Sequence, residues 1–119
     1  MYFYIDLIKY IVKYMRMIAT HFSALADPTR QRIVEMLAGG ALCAGDIAGK
    51  FDLSAPAISQ HLKTLRKAKL VKVRAEAQRR IYELDLEGVE ELSDWVARIR
   101  AFWTPRLDAL ELALRKDTR

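Results

Sequence analysis

The sequence predicts a mainly α-helical domain with one small β-hairpin, an α+β fold. A short capped helix is predicted to begin at Ser54 and end near Ala68. Two segments of alternating apolar and polar residues follow it, at 70–74 and 79–84, and predict two strands joined by a turn at 75–78. Apolar residues spaced three and four apart at both ends of the chain predict long amphipathic helices. With 119 residues, 52% of them hydrophobic, the chain can form one compact domain.

The helix after Leu53 has an apolar face and a polar, basic face. Ser54 is a favourable N-cap, and Pro56 lies in the first turn, where its missing N–H costs nothing. Ile58, Leu62 and Leu65 lie on one side at a helical period. The opposite side is therefore predicted to face solvent or a ligand.

Positive charge is concentrated in this helix and hairpin. Residues 59–80 carry eight Lys and Arg against one acid, a net charge of +7, whereas the whole chain carries +5, so the remainder carries −2. Such asymmetry is typical of a surface that binds nucleic-acid phosphates. The alternative is a solvated helix beside a surface hairpin, without a ligand. Capping, helix face, hairpin and charge all indicate one surface, which favours double-stranded DNA as the partner.

Two further helices are predicted before this one. The Asp-Pro pair at 27–28 starts a helix, and the Gly-Gly pair at 39–40 ends it. A short amphipathic helix follows over 44–51, with Cys43 at the cap position. Two short helices joined by a few residues, the second capped and basic, form a helix-turn-helix, and the hairpin forms a wing.

Residues 1–20 are predicted to form an amphipathic helical extension of the domain formed by 21–119. Their apolar residues follow a heptad-like pattern that cannot stay exposed in a small soluble domain. Two interpretations are equally favoured: a dimer contact, or a helix that covers the core of its own chain. Binding to a membrane surface is a less favoured third interpretation.

The last segment, 86–114, is predicted to be a long amphipathic helix that Pro105 kinks or breaks near 103–104. Its apolar stripe is wider than one small domain can cover. Pairing the two terminal helices across a two-fold axis would bury both stripes and form a homodimer. The predicted dimer contacts are Ile8, Ile11, Met15, Ile18, Trp95, Ile99, Phe102, Trp103 and Leu110.

Composition argues against several classes of protein. A single cysteine cannot form an intrachain disulfide, which fits a reducing cytoplasm. There is no uncharged apolar run of 18 residues, so no membrane partner is expected. No cofactor loop, nucleophile–base set or paired carboxylates can be assembled, so we predict neither an enzyme nor a bound cofactor.

Several blocks of residues resemble the ArsR/SmtB family of bacterial winged-helix repressors. They are Phe22-Ser-Ala-Leu-Ala-Asp-Pro-Thr-Arg30, Leu42-Cys-Ala-Gly-Asp-Ile-Ala48, Leu53-Ser-Ala-Pro-Ala-Ile-Ser-Gln-His-Leu-Lys63 and Arg80-Ile-Tyr-Glu-Leu84. The resemblance spans residues 21–115. It implies a homodimer that binds an inverted-repeat operator and blocks transcription.

Metal sensing, the usual trigger in that family, is not expected here. The resemblance places Cys43 and Gly45 where metal-sensing members have a Cys-x-Cys pair, and no histidine follows His61. One soft ligand is not a metal site, so the sequence predicts a member that lacks the metal ligands. Cys43 as a redox-active thiol is an alternative, because a cysteine near a helix start can have a lowered pKa; a small cap or core residue is the other interpretation.

Two positions depart from the family pattern. Lys69 stands where members often have the glycine that ends the recognition helix, and Ala77 stands where the wing tip often has glycine. A left-handed backbone at either position would cost about 1 kcal/mol.

These observations predict a DNA-binding regulator whose two recognition helices enter successive major grooves about 34 Å apart. The residues predicted to contact bases are Ser54, Ser59, Gln60 and His61, and those predicted to contact phosphates are Lys63, Lys67, Arg74, Arg79 and Arg80. The alternative function is a winged-helix module that binds a protein or a membrane surface.

Overall fold

The protein is mainly helical, with a small three-stranded antiparallel sheet. A computed structural model describes residues 2–117. In chain order the elements are α1 (Tyr2–Ala24), α2 (Pro28–Ala38), β1 (Leu42–Cys43), α3 (Ala44–Ala48), α4 (Ala55–Lys67), β2 (Val71–Glu76), β3 (Arg79–Leu84) and α5 (Leu86–Asp117). The strand order is β1-β3-β2. The predicted fold class, a winged helix-turn-helix with a small hairpin, is therefore confirmed.

The hydrophobic core lies between α2, α3, α4 and the sheet. Its most deeply buried side chains are Ile33, Ile47, Ile58, Leu62, Leu65, Leu70 and Val71. The three apolar residues predicted for the inner face of α4 are all among them. Burying a Leu or Ile stabilises the fold by about 1.5–3 kcal/mol, so this cluster fixes how α4 is presented.

The start and end of α2 follow the predicted capping residues. Asp27 is the N-cap, and its Oδ1 accepts a hydrogen bond from the Arg30 N–H at 3.1 Å. Pro28 occupies the first turn. Gly39 caps the other end, and Gly40 follows with a φ of +138°, a conformation that favours glycine.

Three local features differ from the predictions. The helix predicted over 44–51 is only α3, because Gly49 caps it early. Residues 42–43 form β1, which pairs with β3 and was not predicted, because a two-residue strand has no periodicity. The wing turn is also shorter: β2 continues to Glu76, which pairs with Arg79, so only Ala77 and Gln78 form the turn. Ala77 has a φ of +56°, so the left-handed backbone considered for this position is present.

The end of α4 is closed by a Schellman motif. The Leu70 N–H donates to the Leu65 carbonyl at 3.1 Å, and the Lys69 N–H donates to the Arg66 carbonyl at 3.0 Å. Lys69 has a φ of +59°, so this position also adopts the left-handed conformation considered above. The motif turns the chain directly into β2.

The terminal helices contact each other and the end of α4. The buried His21 of α1 donates from Nε2 to Glu91 Oε2 of α5 at 3.2 Å. Gly88 of α5 lies against the turn after α4, and a Cβ at this position would lie 1.9 Å from the Lys69 carbonyl oxygen. A side chain at position 88 would therefore push α5 away from the end of α4.

Helix α5 continues through Pro105 to Asp117, so of the two outcomes predicted near 103–104 the break is wrong, while the kink stays a prediction. Pro105 has no N–H for the carbonyl one turn earlier. One residue further on, the Arg106 guanidinium donates to the Phe102 carbonyl at 2.6 Å and lies 3.7 Å from the centre of the Phe102 ring. These side-chain contacts hold the helix together across the proline.

Both terminal helices project beyond the core. The radius of gyration is 19.6 Å, whereas a compact domain of this length has about 14 Å. The helical regions 2–13 and 96–117 are exposed throughout. Helix α1 becomes buried only towards its C-terminal end, at Ile18, His21 and Ala24.

Candidate nucleic-acid interface

Helix α4 presents a polar, basic face to solvent. Ser59, Gln60, Lys63 and Lys67 are exposed, while the apolar side of the helix faces the core. The Thr64 hydroxyl donates to the Gln60 carbonyl at 3.1 Å within the helix. The four exposed side chains can therefore approach a ligand without loss of core contacts.

Ser54 caps α4 while remaining exposed. Its Oγ accepts a hydrogen bond from the Ala57 N–H at 3.2 Å. The hydroxyl proton is not used in that bond. Ser54 can thus donate to a ligand at the N-terminal end of the helix.

The structure turns His61 away from the exposed face. Its imidazole is half-buried, and Nδ1 accepts a hydrogen bond from Arg30 Nη1 at 3.3 Å. Asp27 Oδ1 lies 3.9 Å from the same nitrogen. The Arg30 Nε–H in turn donates to the Ala24 carbonyl at 2.6 Å. His61 thus joins α4 to α2, and the base contact predicted for it stays a prediction.

The carboxylate of Asp27 is stabilised in its ionised form. The hydrogen bond from the Arg30 N–H lowers the pKa of Asp27 below its ordinary value, against the opposing effect of burial, and the positive charge of Arg30 acts in the same direction as the hydrogen bond. The cap of α2 and the contact from α2 to α4 therefore share one charged residue.

The wing arginines differ in their surroundings. Arg74 lies 3.1 Å from Glu76 and 3.8 Å from Glu83, so it already has carboxylate partners within the hairpin. Arg79 and Arg80 are exposed and have no carboxylate oxygen within 4.0 Å among residues 2–117. Of the predicted phosphate contacts on the wing, these two are the more available.

Helix α4 and the wing meet in a shallow hollow of about 240 Å³. Ser59 of α4, Gly45 of α3 and Arg80 of β3 all line it. The strand register places Arg80 opposite Ala75, on the same side of the hairpin as the core residue Tyr82. Arg79 points to the other side. One arginine therefore lies beside α4, and the other lies on the outer side of the wing.

The predicted dimer residues fall into two groups. Ile18 is only 6% exposed, and Trp95 is half-buried with its ring centre 4.9 Å from that of Phe22, so both are used in packing within the chain. The other seven are 41–64% exposed: Ile8, Ile11, Met15, Ile99, Phe102, Trp103 and Leu110. The last turns of α1 pack on the core of their own chain, whereas its first turns contact no core, and a dimer contact there stays a prediction.

Cys43, His21 and His61 lie on separate elements of the chain. Among residues 2–117, no three His, Cys, Asp or Glu side chains are grouped closely enough to hold an ion. Cys43 is a half-buried free thiol at the N-cap of α3, and its side chain makes no capping hydrogen bond.

Sequence reasoning missed three functional positions. Arg30 orients His61, His21 joins α1 to α5, and Gly88 allows α5 to approach the end of α4. Arg30 was visible as part of the Asp-Pro-Thr-Arg block. Nothing in the local sequence indicates the other two contacts, because their partners are distant in the chain.

Two short helices, a capped basic helix on the surface and a charged hairpin beside it define a winged helix-turn-helix DNA-binding protein. Comparison with known proteins agrees. The family model described as bacterial regulatory protein, arsR family, matches residues 27–73. The HTH-type transcriptional regulator Rv2034 of Mycobacterium tuberculosis is 46% identical over 86 residues, which cover 72% of this chain and 78% of that protein.

Two further relatives support the same assignment. The transcriptional repressor SdpR of Bacillus subtilis is 37% identical over 75 residues, covering 63% of this chain and 83% of the relative. A solved ArsR-like transcriptional regulator from Rhodococcus has a TM-score of 0.67 and 28% identity, covering 82% of this chain and 92% of that one. The chain belongs to the ArsR family of transcriptional regulators. It is a DNA-binding regulator of transcription and not an enzyme.

No helix within residues 2–117 combines the length and hydrophobicity needed to cross a membrane.

Proposed function

We propose that this protein is a homodimeric repressor that binds an inverted-repeat operator without direct metal sensing. The observation that carries the proposal is the pairing of a basic, exposed recognition helix with two projecting apolar helices in the same chain. One copy of the chain has one recognition helix, which can contact one half of the operator. A two-fold dimer supplies two readers about 34 Å apart, matching successive major grooves.

Exposed apolar surface on the terminal helices supports the dimer. Ile8, Met15, Phe102 and Trp103 are each at least half exposed in the single chain, which is costly for large apolar side chains grouped on two helices. A second copy that covers both stripes removes this surface from water. Phe22 and Trp95, already packed together, connect the two stripes within one chain.

The dimer is tested by sedimentation equilibrium at micromolar concentrations. We expect the natural chain to be dimeric and Phe102→Glu to shift the mass towards that of a monomer, because the charge would be buried in the seam. Leu53→Glu is the matched control, since Leu53 is also exposed but lies outside both terminal helices. A monomeric natural chain, or equal effects of the two variants, would contradict the dimer.

We assign base contacts to Gln60 and Ser59, with Ser54 at the start of the helix. Gln60 can make paired hydrogen bonds with adenine in the major groove. His61 acts through Arg30 and Asp27, by fixing the angle between α4 and α2. Phosphate contacts are assigned to Lys63, Lys67, Arg79 and Arg80, while Arg74 would first have to leave its carboxylate partners.

The assignment of bases and phosphates is tested by measuring affinity for operator and random DNA over a series of salt concentrations. Gln60→Ala is expected to lose about 1–3 kcal/mol on the operator at one base step and little on random DNA. Arg79→Ala is expected to weaken both DNAs alike and to lower the salt slope by about one. The same loss on both DNAs for Gln60→Ala would refute its role in base reading.

A further inference from the structure

A groove of about 480 Å³ lies between the first part of α1 and the end of α4. Its volume falls in the range of sites that hold small organic molecules, about 300–1,000 Å³. The groove is distinct from the hollow between α4 and the wing, because it shares no residue with it. It therefore represents a second surface of the molecule.

One part of the groove lining is apolar. Ile8, Val12 and Met17 of α1 line it, and Ala68 lines it from the end of α4. Val12 is exposed to solvent and Met17 is half-buried in the single chain. A ligand with a hydrocarbon body would remove them from water.

The rest of the lining is strongly basic. Its cations are Lys9, Lys13 and Arg16 of α1, Lys67 at the end of α4 and Lys69 just after α4. No carboxylate lines it. Within residues 2–117, none of the five cations has a carboxylate oxygen within 4.0 Å. Like charges gathered at one hollow repel each other, and an anion placed among them would relieve that repulsion.

Two acidic residues lie close by but belong to a neighbouring hollow. Glu87 and Glu91 line that smaller hollow together with Lys13. Glu91 is already bound to Nε2 of His21. Lys9, Arg16 and Lys69 do not line the neighbouring hollow, and Lys67 is assigned to DNA phosphates, so at least three cations remain for a ligand in the groove.

His21 also lines the groove and is only 1% exposed. Its Nδ1 atom is buried and has no hydrogen-bond partner among the residues that the structure describes. In the tautomer whose Nε2 donates to Glu91, Nδ1 carries a lone pair and cannot donate to a carboxylate, so the groove cations alone select an anion.

We propose that this groove binds a small amphiphilic anion, namely a hydrocarbon chain that carries one carboxylate. The carboxylate lies among Lys9, Arg16 and Lys69, and the chain lies on Val12 and Met17. Other classes of ligand would use only one half of the lining. DNA phosphates would use the cations without the apolar residues, and a neutral lipid would use the apolar residues without the cations.

A ligand held in the groove contacts both α1 and the residues that end the recognition helix. Lys69 is the left-handed residue of the Schellman motif, and its carbonyl lies against α5 at Gly88. Binding would therefore bias the position of α4 relative to the terminal helices and change affinity for the operator. This last step depends on the proposed function, whereas ligand binding itself does not.

The test is calorimetric titration of the full chain with decanoate, well below its micelle concentration and without DNA. Decanol and acetate are the matched probes, one without the charge and the other without the chain. We expect one saturable site per chain for decanoate and at least ten-fold weaker binding of the other two. Binding of decanol as tight as that of decanoate, or a heat that never saturates, would overturn the proposal.

Variants locate the site. Lys9→Gln combined with Arg16→Gln should weaken decanoate binding at least ten-fold, and Val12→Asn should weaken it without a change of charge. Lys50→Gln combined with Arg100→Gln is the control, because both residues are exposed and lie outside the groove, and the pair removes the same two positive charges. Circular dichroism verifies that each variant is folded. Unchanged binding in the double variant would overturn the proposal.

Measuring DNA binding by the same variants tests the remaining explanation, which is that the groove cations contact DNA phosphates and not a small ligand. If decanoate does not bind and the double variant loses affinity for every DNA sequence, the groove cations contact phosphates and the proposal fails. If decanoate binds but no DNA is recognised, the ligand site stands and the proposed function fails.

Discussion

The region from α2 to β3 and the two projecting helices use apolar residues in opposite ways. Leu65 on the inner face of α4 is fully buried, whereas Leu107 in the same type of helix on α5 is 58% exposed. Both follow spacings of three and four in the sequence. Helical periodicity thus reveals that a face is apolar, but it does not reveal whether the covering surface lies in the same chain.

The sharpest test of this comparison truncates one leucine in each region. Leu65→Ala should lower the free energy of unfolding by about 3 kcal/mol, because it leaves a cavity in a closed core. Leu107→Ala should instead act through the dimer, so its effect on the melting temperature should depend on protein concentration. Thermal melts at two concentrations a hundred-fold apart provide the measurement.

A concentration-independent loss for Leu107→Ala of the same size as that for Leu65→Ala would break the comparison. It would mean that α5 is covered within its own chain, contrary to the exposure described above.

The next largest effect concerns the junction between the two regions. Gly88→Ala should destabilise the fold by about 3 kcal/mol, since its Cβ would lie 1.9 Å from the Lys69 carbonyl oxygen and backbone must move. Gly45→Ala is the matched control, because its Cβ would meet nothing within 4 Å and alanine favours a helix. Urea unfolding of both variants distinguishes them, and equal stabilities would show that α5 is not held against the end of α4.

Smaller gains are expected at the two left-handed residues of the first region. Lys69→Gly and Ala77→Gly should each stabilise the protein by about 0.5–1 kcal/mol, because glycine has no Cβ to clash at positive φ. Lys63→Gly, within α4, is the opposite control and should cost about 1 kcal/mol. Denaturation midpoints provide the measurement. A loss of stability in Lys69→Gly would show that its side chain contributes more than its backbone strain costs.

Individual residues show which features of the fold can be predicted from the sequence. Caps are local, so Asp27 and Ser54 placed the starts of α2 and α4 correctly, and the core face of α4 followed from its period. The predicted wing turn is two residues too long. Ala75 and Glu76 occur in strands and in turns alike, so the alternation of apolar and polar residues does not show where β2 ends. The two-residue β1 has no period to detect.

Contacts between distant segments lie beyond such reasoning. The surface position of Gln60 follows from the helix period, but the inward turn of His61 depends on Arg30, 31 residues away. The contact between His21 and Glu91 spans 70 residues. Residue type and spacing therefore predicted which segment faces the ligand, while the tertiary structure decides which side chains on that segment are already occupied.

The smallest expected effect is the pH dependence of the contact between α2 and α4. Because the folded pKa of Asp27 is lowered, its ionised carboxylate stabilises the fold above the ordinary value of 3.8, and this contribution is lost as the pH falls through the folded pKa. Asp27→Asn keeps a favourable N-cap but removes the charge. The natural chain should therefore be more stable than this variant at neutral pH, and the difference should disappear in acid. Urea unfolding at a series of pH values measures it. Because the contact lies within the region from α2 to β3, whose core is covered by its own chain, the difference should not depend on protein concentration. A difference in stability that persists in acid would show that the shape of the cap, and not its charge, causes the effect.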